Sequence, residues 1–265
     1  MSESLSLEKP PGIAAVEKLL WLCGRLLHLI PADCALTVPC GINRGLRWLR
    51  GAANAPEWIG IYELRKQQAL RRLVAPGMTV CDIGANAGFY TLGLARLVGE
   101  RGRVIAFEPL PRNLAKIRRH LSLNHLTNVE LNDCALADVT GTLRFTEGES
   151  DFTGRISTEG GDLEVRSIRL DEFLEKRSLS DPALLKIDVE GAEDLVLEGA
   201  QELLRRAHPI LVLALHGAAQ KVRCFEILQS LGYGVAGLKG RPIEDVAAMP
   251  EEIIAVYYHS DATPL

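Results

Sequence analysis

Val80-Cys81-Asp82-Ile83-Gly84-Ala85-Asn86-Ala87-Gly88-Phe89-Tyr90-Thr91 reads as a buried strand, a glycine turn and the start of a helix. Val80 to Ile83 is a short apolar run with an acid near its end, which is how a strand covered on both faces looks. Gly84 permits a tight exit from that strand, and Gly88 lets the helix begin close against the sheet. Amides at the helix start then face the loop, where they favour an anionic group.

The spacing decides between cofactors. A dinucleotide fingerprint needs Gly-x-Gly-x-x-Gly so that bare backbone can approach a pyrophosphate, and here the middle position is Asn86. The loop suits S-adenosylmethionine better: its methionine carboxylate is a single anion, and its amine needs an acceptor. Val104 to Phe107 reads as the next strand and ends in Glu108-Pro109. An acid at that strand tip, about twenty residues past the glycines, can accept both hydrogen bonds of a ribose diol. Val129 to Asn132 reads as a third strand with Asp133-Cys134-Ala135 at its tip. Asp133 either accepts from an adenine amino group or caps its own turn.

These segments resemble the FkbM family of S-adenosylmethionine-dependent methyltransferases. The likeness is carried by Asp82 to Thr91, by Ala106-Phe107-Glu108-Pro109, and by Ala135-Leu136-Ala137-Asp138 followed by Gly141. Most distinctive is Leu185-Lys186-Ile187-Asp188-Val189-Glu190-Gly191-Ala192-Glu193, followed by Leu197-Glu198-Gly199-Ala200. The resemblance runs from Tyr62 to His216 and implies methyl transfer to a hydroxyl of a carbohydrate or small natural product. It also implies a class I, Rossmann-like fold: a seven-stranded, mostly parallel sheet with helices on both faces and the seventh strand antiparallel between the fifth and sixth. Carried over by residue, Asp82, Gly84, Asn86 and Gly88 would line the methionine end, Glu108 the ribose and Asp133 the adenine, and Tyr90 and Asp188 would also contact the cofactor. Tyr62-Glu63 would close over the cofactor. One departure matters: relatives end the fifth strand with a Glu two residues before a His, whereas this chain reads Ala214-Leu215-His216. Any help that acid gives is lost here or comes from elsewhere, so a cofactor-binding protein with impaired catalysis is the alternative reading. A nicotinamide oxidoreductase is disfavoured by Asn86.

Two units are expected: an N-terminal helical extension over 1–60 and the cofactor-binding domain over 61–265. Val16, Leu19, Leu20, Cys23, Leu26, Leu27 and Ile30 recur at helical spacing, and Pro31 ends the helix. Its apolar face would pack on the domain or on a second subunit of a homodimer; contact of residues 14–30 with a membrane surface is the lesser reading, supported by Trp21, Arg25 and His28. Residues 32–55 show no clear period. A helix is expected from Trp58 to Val74, stopped by Pro76-Gly77. Strands and helices then alternate, with extra strands at Thr142–Thr146 and Glu164–Ile168. The Ser-, Gly- and Asp-rich run Gly148 to Asp162 between them reads as a mobile loop over the acceptor.

The 265 residues are 47% hydrophobic and 24% charged, a globular composition with enough chain for one large core. A net charge of -4 argues against a nucleic-acid partner. The pairs Arg65-Lys66, Arg71-Arg72 and Arg205-Arg206 read as solvated helix faces. Six cysteines without Cys-x-x-Cys spacing read as reduced thiols. The start lacks a signal-like basic region, and the run Leu19 to Ile30 is too short to span a bilayer. A cytoplasmic location is the expectation.

Asp82, Glu108, Asp133, Asp188 and His216 all fall at expected strand ends, where ligands of open parallel sheets bind. Asp188 and His216 are the candidate bases for the acceptor hydroxyl, His216 the better one from an ordinary pKa of about 6.5. Lys186 is either a third catalytic residue or a counter-charge to buried acids. A divalent ion between Asp188, Glu190 and His216 would want more acids than Ala214 leaves, so no metal is expected.

Overall fold

The computed structural model describes residues 30–147, 154–156 and 163–257. At its centre is a seven-stranded sheet built from β3 (Thr79–Ile83), β4 (Arg103–Phe107), β5 (Val129–Asn132), β10 (Leu184–Ile187), β11 (Ile210–Ala214), β12 (Tyr233–Gly237) and β13 (Glu252–Tyr257). The strand order is β12-β13-β11-β10-β3-β4-β5. β13 runs antiparallel to both of its neighbours, which is the class I arrangement that the family resemblance implies.

Strict alternation along the strands gives the sheet two cores. Val80, Val104, Leu184, Val212 and Ile254 face one side, and Cys81, Ile105, Leu185, Leu213 and Ile253 face the other. The first face is covered by α2 (Leu64–Leu73) and α3 (Phe89–Val98), through Ala69, Leu70, Leu92 and Val98. The second is covered by α5 (Leu170–Arg177), α6 (Glu193–Glu198), α7 (Gln201–Ala207) and α8 (Ala218–Ser230), with Phe173, Val196, Leu203 and Leu228 in contact. A smaller sheet of order β6-β9-β7-β8 lies beyond β5, formed by β6 (Ala135–Leu136), β7 (Gly141–Glu147), β8 (Gly154–Ile156) and β9 (Leu163–Ile168). β8 falls inside the run expected to be one loop; residues 148–153 and 157–162 lie outside the described residues.

The expected helix over 58–74 is two. Helix α1 (Ala55–Ile59) stops at Gly60, left-handed at φ 87°, and α2 starts after Glu63, also left-handed at φ 44°. A Cβ on Gly60 would lie 2.1 Å from the Cys40 carbonyl oxygen, so the close approach of a neighbouring turn requires glycine there. The interruption lets Tyr62 and Glu63 leave the helix surface and reach the ligand cavity.

Ahead of α1, residues 30–54 contain a strand pair where a helical extension was expected. β1 (Ala35–Thr37) and β2 (Arg47–Leu49) form an antiparallel pair, and Val38, Ile42 and Trp48 enter the first core. Of the helix expected over 16–30, residues 16–29 lie outside the described residues. His120, on α4 (Pro111–Leu123), fastens the pair to the cofactor loop. Its Nε2 accepts from the Leu49 amide at 3.1 Å, its Nδ1 lies 3.0 Å from the Ala87 carbonyl, and its ring stacks on Trp48 at 4.0 Å. These bonds require the neutral Nδ1–H tautomer. Burial pushes the His120 pKa down from 6.5 to about 4. A histidine with a depressed folded-state pKa gives its full stability above the unfolded value and loses it as pH falls toward the folded one. Urea denaturation at stepped pH is therefore expected to show up to about 3 kcal/mol lost between pH 6.5 and 4, and His120→Gln should flatten that limb.

Candidate active site

β3 and β10 run parallel, and the order in which successive strands join the sheet reverses between them; the carboxyl ends of these strands border a cavity of about 300 Å³, the place where open α/β sheets hold ligands. Gly84 leaves β3 at φ 76°, and a Cβ there would lie 1.9 Å from the Asp188 carbonyl oxygen. Only glycine lets the two strand exits meet so closely. Asn86 follows in a left-handed conformation at φ 50°. Its amide donates to Glu108 Oε2 at 2.7 Å. Glu108 Oε1 accepts from the Leu110 amide at 2.9 Å and faces Asn113 Nδ2 at 3.3 Å, so Oε2 keeps capacity for a further donor. Burial pushes the Glu108 carboxyl up to about 7, against the pull of these hydrogen bonds.

Glu63, Gly84, Asn86, Tyr90, Glu108, Lys186, Asp188 and His216 line the cavity, so most of the residues singled out in the sequence do meet. Three do not reach it. Asp82 is fully buried because alternation along β3 turns it under α3. There it accepts from Thr91 Oγ1 at 2.6 Å and pairs with Lys186 Nζ at 3.1 Å. Gly88, at φ 92°, starts α3 against Ile117 and shapes the loop from behind. Asp133 turns to solvent and pairs with Arg166 at 2.8 Å, while its neighbours Cys134, Ala135 and Leu136 form the wall.

Lys186 lies opposite Asp82 in the β10–β3 register, which puts both side chains on one face. Its ammonium also donates to the Gly84 carbonyl at 2.9 Å and lies 3.9 Å from Asp188 Oδ2. The geometry makes Lys186 a clamp on the turn between β3 and α3.

Lys66 was expected on a solvated helix face and is instead 1% exposed. It pairs with Glu63 at 2.7 Å, Glu252 at 3.0 Å and Asp188 at 3.2 Å. Tyr90 donates its hydroxyl to Glu63 at 2.7 Å. Glu252 is the cross-strand partner of Ala214 in the β11–β13 ladder and lines the cavity. The carboxylate absent from β11 has a counterpart on the neighbouring strand.

His216 departs from its expected chemistry. Nδ1 lies 2.9 Å from Glu193 Oε1, and Glu193 is fully buried. That hydrogen bond raises the pKa; burial opposes it, and Asp188 and Glu190 add to the rise, to about 9. At neutral pH His216 is an imidazolium, with Nε2 3.8 Å from Asp188 Oδ1 and 3.7 Å from Glu190 Oε2. Burial alone would raise Asp188, but Lys186, Lys66 and His216 hold it below the usual carboxylate range. Asp188, Glu190 and His216 can each bring one ligand atom within 4.8 Å of the others, the only such group among the described residues; a metal there would have to displace the proton on His216.

Glu193, Lys66 and Glu252 escaped the site reading of the sequence. Glu63 and Lys66 stand three apart on a helix start, the one local signal available; Glu252 depends on the sheet order.

The site fits S-adenosylmethionine: a glycine turn too tight for any side chain, and a strand-tip carboxylate with acceptor capacity left. The Methyltransferase FkbM domain family matches residues 82–235. Among characterised relatives, 31-O-demethyl-FK506 methyltransferase FkbM of Streptomyces tacrolimicus is 27% identical over 48% of this chain and 61% of its own length. Hexuronic acid methyltransferase AglP of Haloferax volcanii is 27% identical over 57% of this chain and 64% of its own. The 2-O-methyltransferase NoeI of Sinorhizobium fredii is 25% identical over 64% of this chain and 82% of its own. The chain thus spans about three fifths of the first two relatives. The match covers more than half of the chain, and the protein belongs to the FkbM family of methyltransferases, with S-adenosylmethionine as its cofactor.

Proposed function

We propose that the protein transfers a methyl group to a hydroxyl oxygen of a carbohydrate or small natural product. The observation that carries this reading is the ionised carboxylate of Asp188, at the tip of β10 inside the cavity and fixed by Lys66 from one side. The relatives named for 31-O-demethyl-FK506 and for a 2-O position support oxygen as the acceptor atom, and the one named for hexuronic acid supports a sugar.

When bound, the cofactor supplies an electrophilic methyl on a positive sulfonium. The chain's own contribution is orientation, which is worth most in an in-line displacement. Asp188 accepts a hydrogen bond from the acceptor hydroxyl and turns its lone pair toward the methyl. Forming the C–O bond makes the hydroxyl proton strongly acidic, so a carboxylate of depressed pKa suffices to take it. His216, already cationic, holds Asp188 and Glu190 in place and takes no proton. Glu108 binds the ribose diol, and Glu63 with Tyr90 closes the methionine end.

Calorimetry with S-adenosylhomocysteine and with NAD tests the cofactor assignment. Because Glu108 is raised to about 7, acidification below that point converts an acceptor into a donor. Affinity for S-adenosylhomocysteine is expected to weaken by about tenfold per pH unit there. Glu108→Ala should cost about 1.5 to 3 kcal/mol of binding. Unchanged affinity in that variant, or tight NAD binding, would overturn the reading.

A further inference from the structure

The charge of the cavity wall points to a class of acceptor, on the basis of the methyl-transfer reading above. Glu63, Glu108 and Asp188 are engaged at the cofactor end and around Lys66. Four more carboxylates line the cavity: Glu57 on α1, Glu190 after β10, Glu251 just before β13, and Glu252 at its start, which shares Lys66 with Glu63 and Asp188. Among the described lining residues the cations are Lys186 and His216. Lys186 is 4% exposed and already spent on Asp82, the Gly84 carbonyl and Asp188. His216 is enclosed by Glu193, Asp188 and Glu190. No described arginine lines the cavity.

An acceptor bearing a carboxylate or phosphate would therefore meet like charge, with no free cation among the described lining residues to offset it. One such approach within about 5 Å weakens binding from several-fold in a wet cleft to about a hundredfold in a drier one. Glu57 adds an independent sign: its Oε2 is buried without a hydrogen-bond partner among the described residues, an acceptor that a ligand donor would satisfy. Hydroxyls can donate to such a wall, and an ammonium does so with three charge-assisted bonds. We propose that the acceptor is a polyhydroxylated molecule carrying a protonated amine, and that the cavity rejects anionic acceptors of the same shape.

The test uses glucosamine, glucose and glucuronate as matched probes on the full chain saturated with S-adenosylhomocysteine, read by calorimetry at neutral pH. The expected order of affinity is amine, then neutral sugar, then uronate, with at least a tenfold gap between the extremes that narrows in high salt. The double variant Glu57→Gln/Glu251→Gln should bring the three toward parity. Any other order, no measurable glucosamine binding, or an order unchanged in the double variant would overturn the proposal. Failure to bind S-adenosylhomocysteine in the first place would instead remove the methyl-transfer reading beneath it.

Discussion

Asp188→Asn is expected to slow turnover by at least about a hundredfold while S-adenosylhomocysteine affinity stays within about threefold. The amide keeps the shape of the carboxylate and removes two things: the charge that draws the acceptor hydroxyl, and the site that receives its proton. Lys66 keeps Glu63 and Glu252 and Lys186 keeps Asp82, so the fold tolerates the change better than catalysis does. The pH profile of the wild type separates the two candidate bases. A histidine working as base from its ordinary pKa would give a rate rising through pH 6.5. An imidazolium held by Glu193 to about 9 gives no such limb and a decline above that pH. Turnover unchanged in Asp188→Asn with an identified acceptor, or a rising limb near 6.5 abolished by His216→Asn, would contradict the mechanism.

Lys66→Met carries the largest expected effect on stability. It leaves Glu63, Asp188 and Glu252 crowded together without the buried cation that they share. Removing one partner of a buried ionic cluster costs about 3 to 5 kcal/mol, which for a chain of this size lowers the melting temperature on the order of 10 °C. Adding Glu63→Gln and Glu252→Gln to Lys66→Met should recover part of the loss, because fewer like charges then need separating. Differential scanning calorimetry of the three proteins measures both. A shift of only a degree or two in Lys66→Met would mean that the cluster is far wetter than its geometry indicates.

Elements with a local signature were legible in the sequence. The apolar alternation of β3, β4, β5 and β10 and the glycine at each tight turn gave the strands within a residue or two. Glu108 and Asp188 reach the cavity because each follows a strand, and strand ends of a parallel sheet converge. What failed depended on orientation or on distant partners. Asp82 sits at a strand end, yet pleating turns it away from the cavity; Asp133 lies one residue beyond the strand and swings outward to Arg166. Lys66 belongs to a basic pair whose pattern is that of a solvated face, and its burial follows from acids 122 and 186 positions away in sequence order, 188 − 66 and 252 − 66. The chemistry of His216 depended in the same way on Glu193, a buried residue with no local mark of its role.

The shared family segment ends at residue 235 and begins at 82, whereas Trp48, Glu57, Glu63, Glu251 and Glu252 all border the cavity. The family segment thus accounts for the cofactor cradle, and the flanks on either side supply part of the cavity wall. Exchanging the flanking pieces between members, with the central segment left alone, is the natural way to redirect which molecule receives the methyl group.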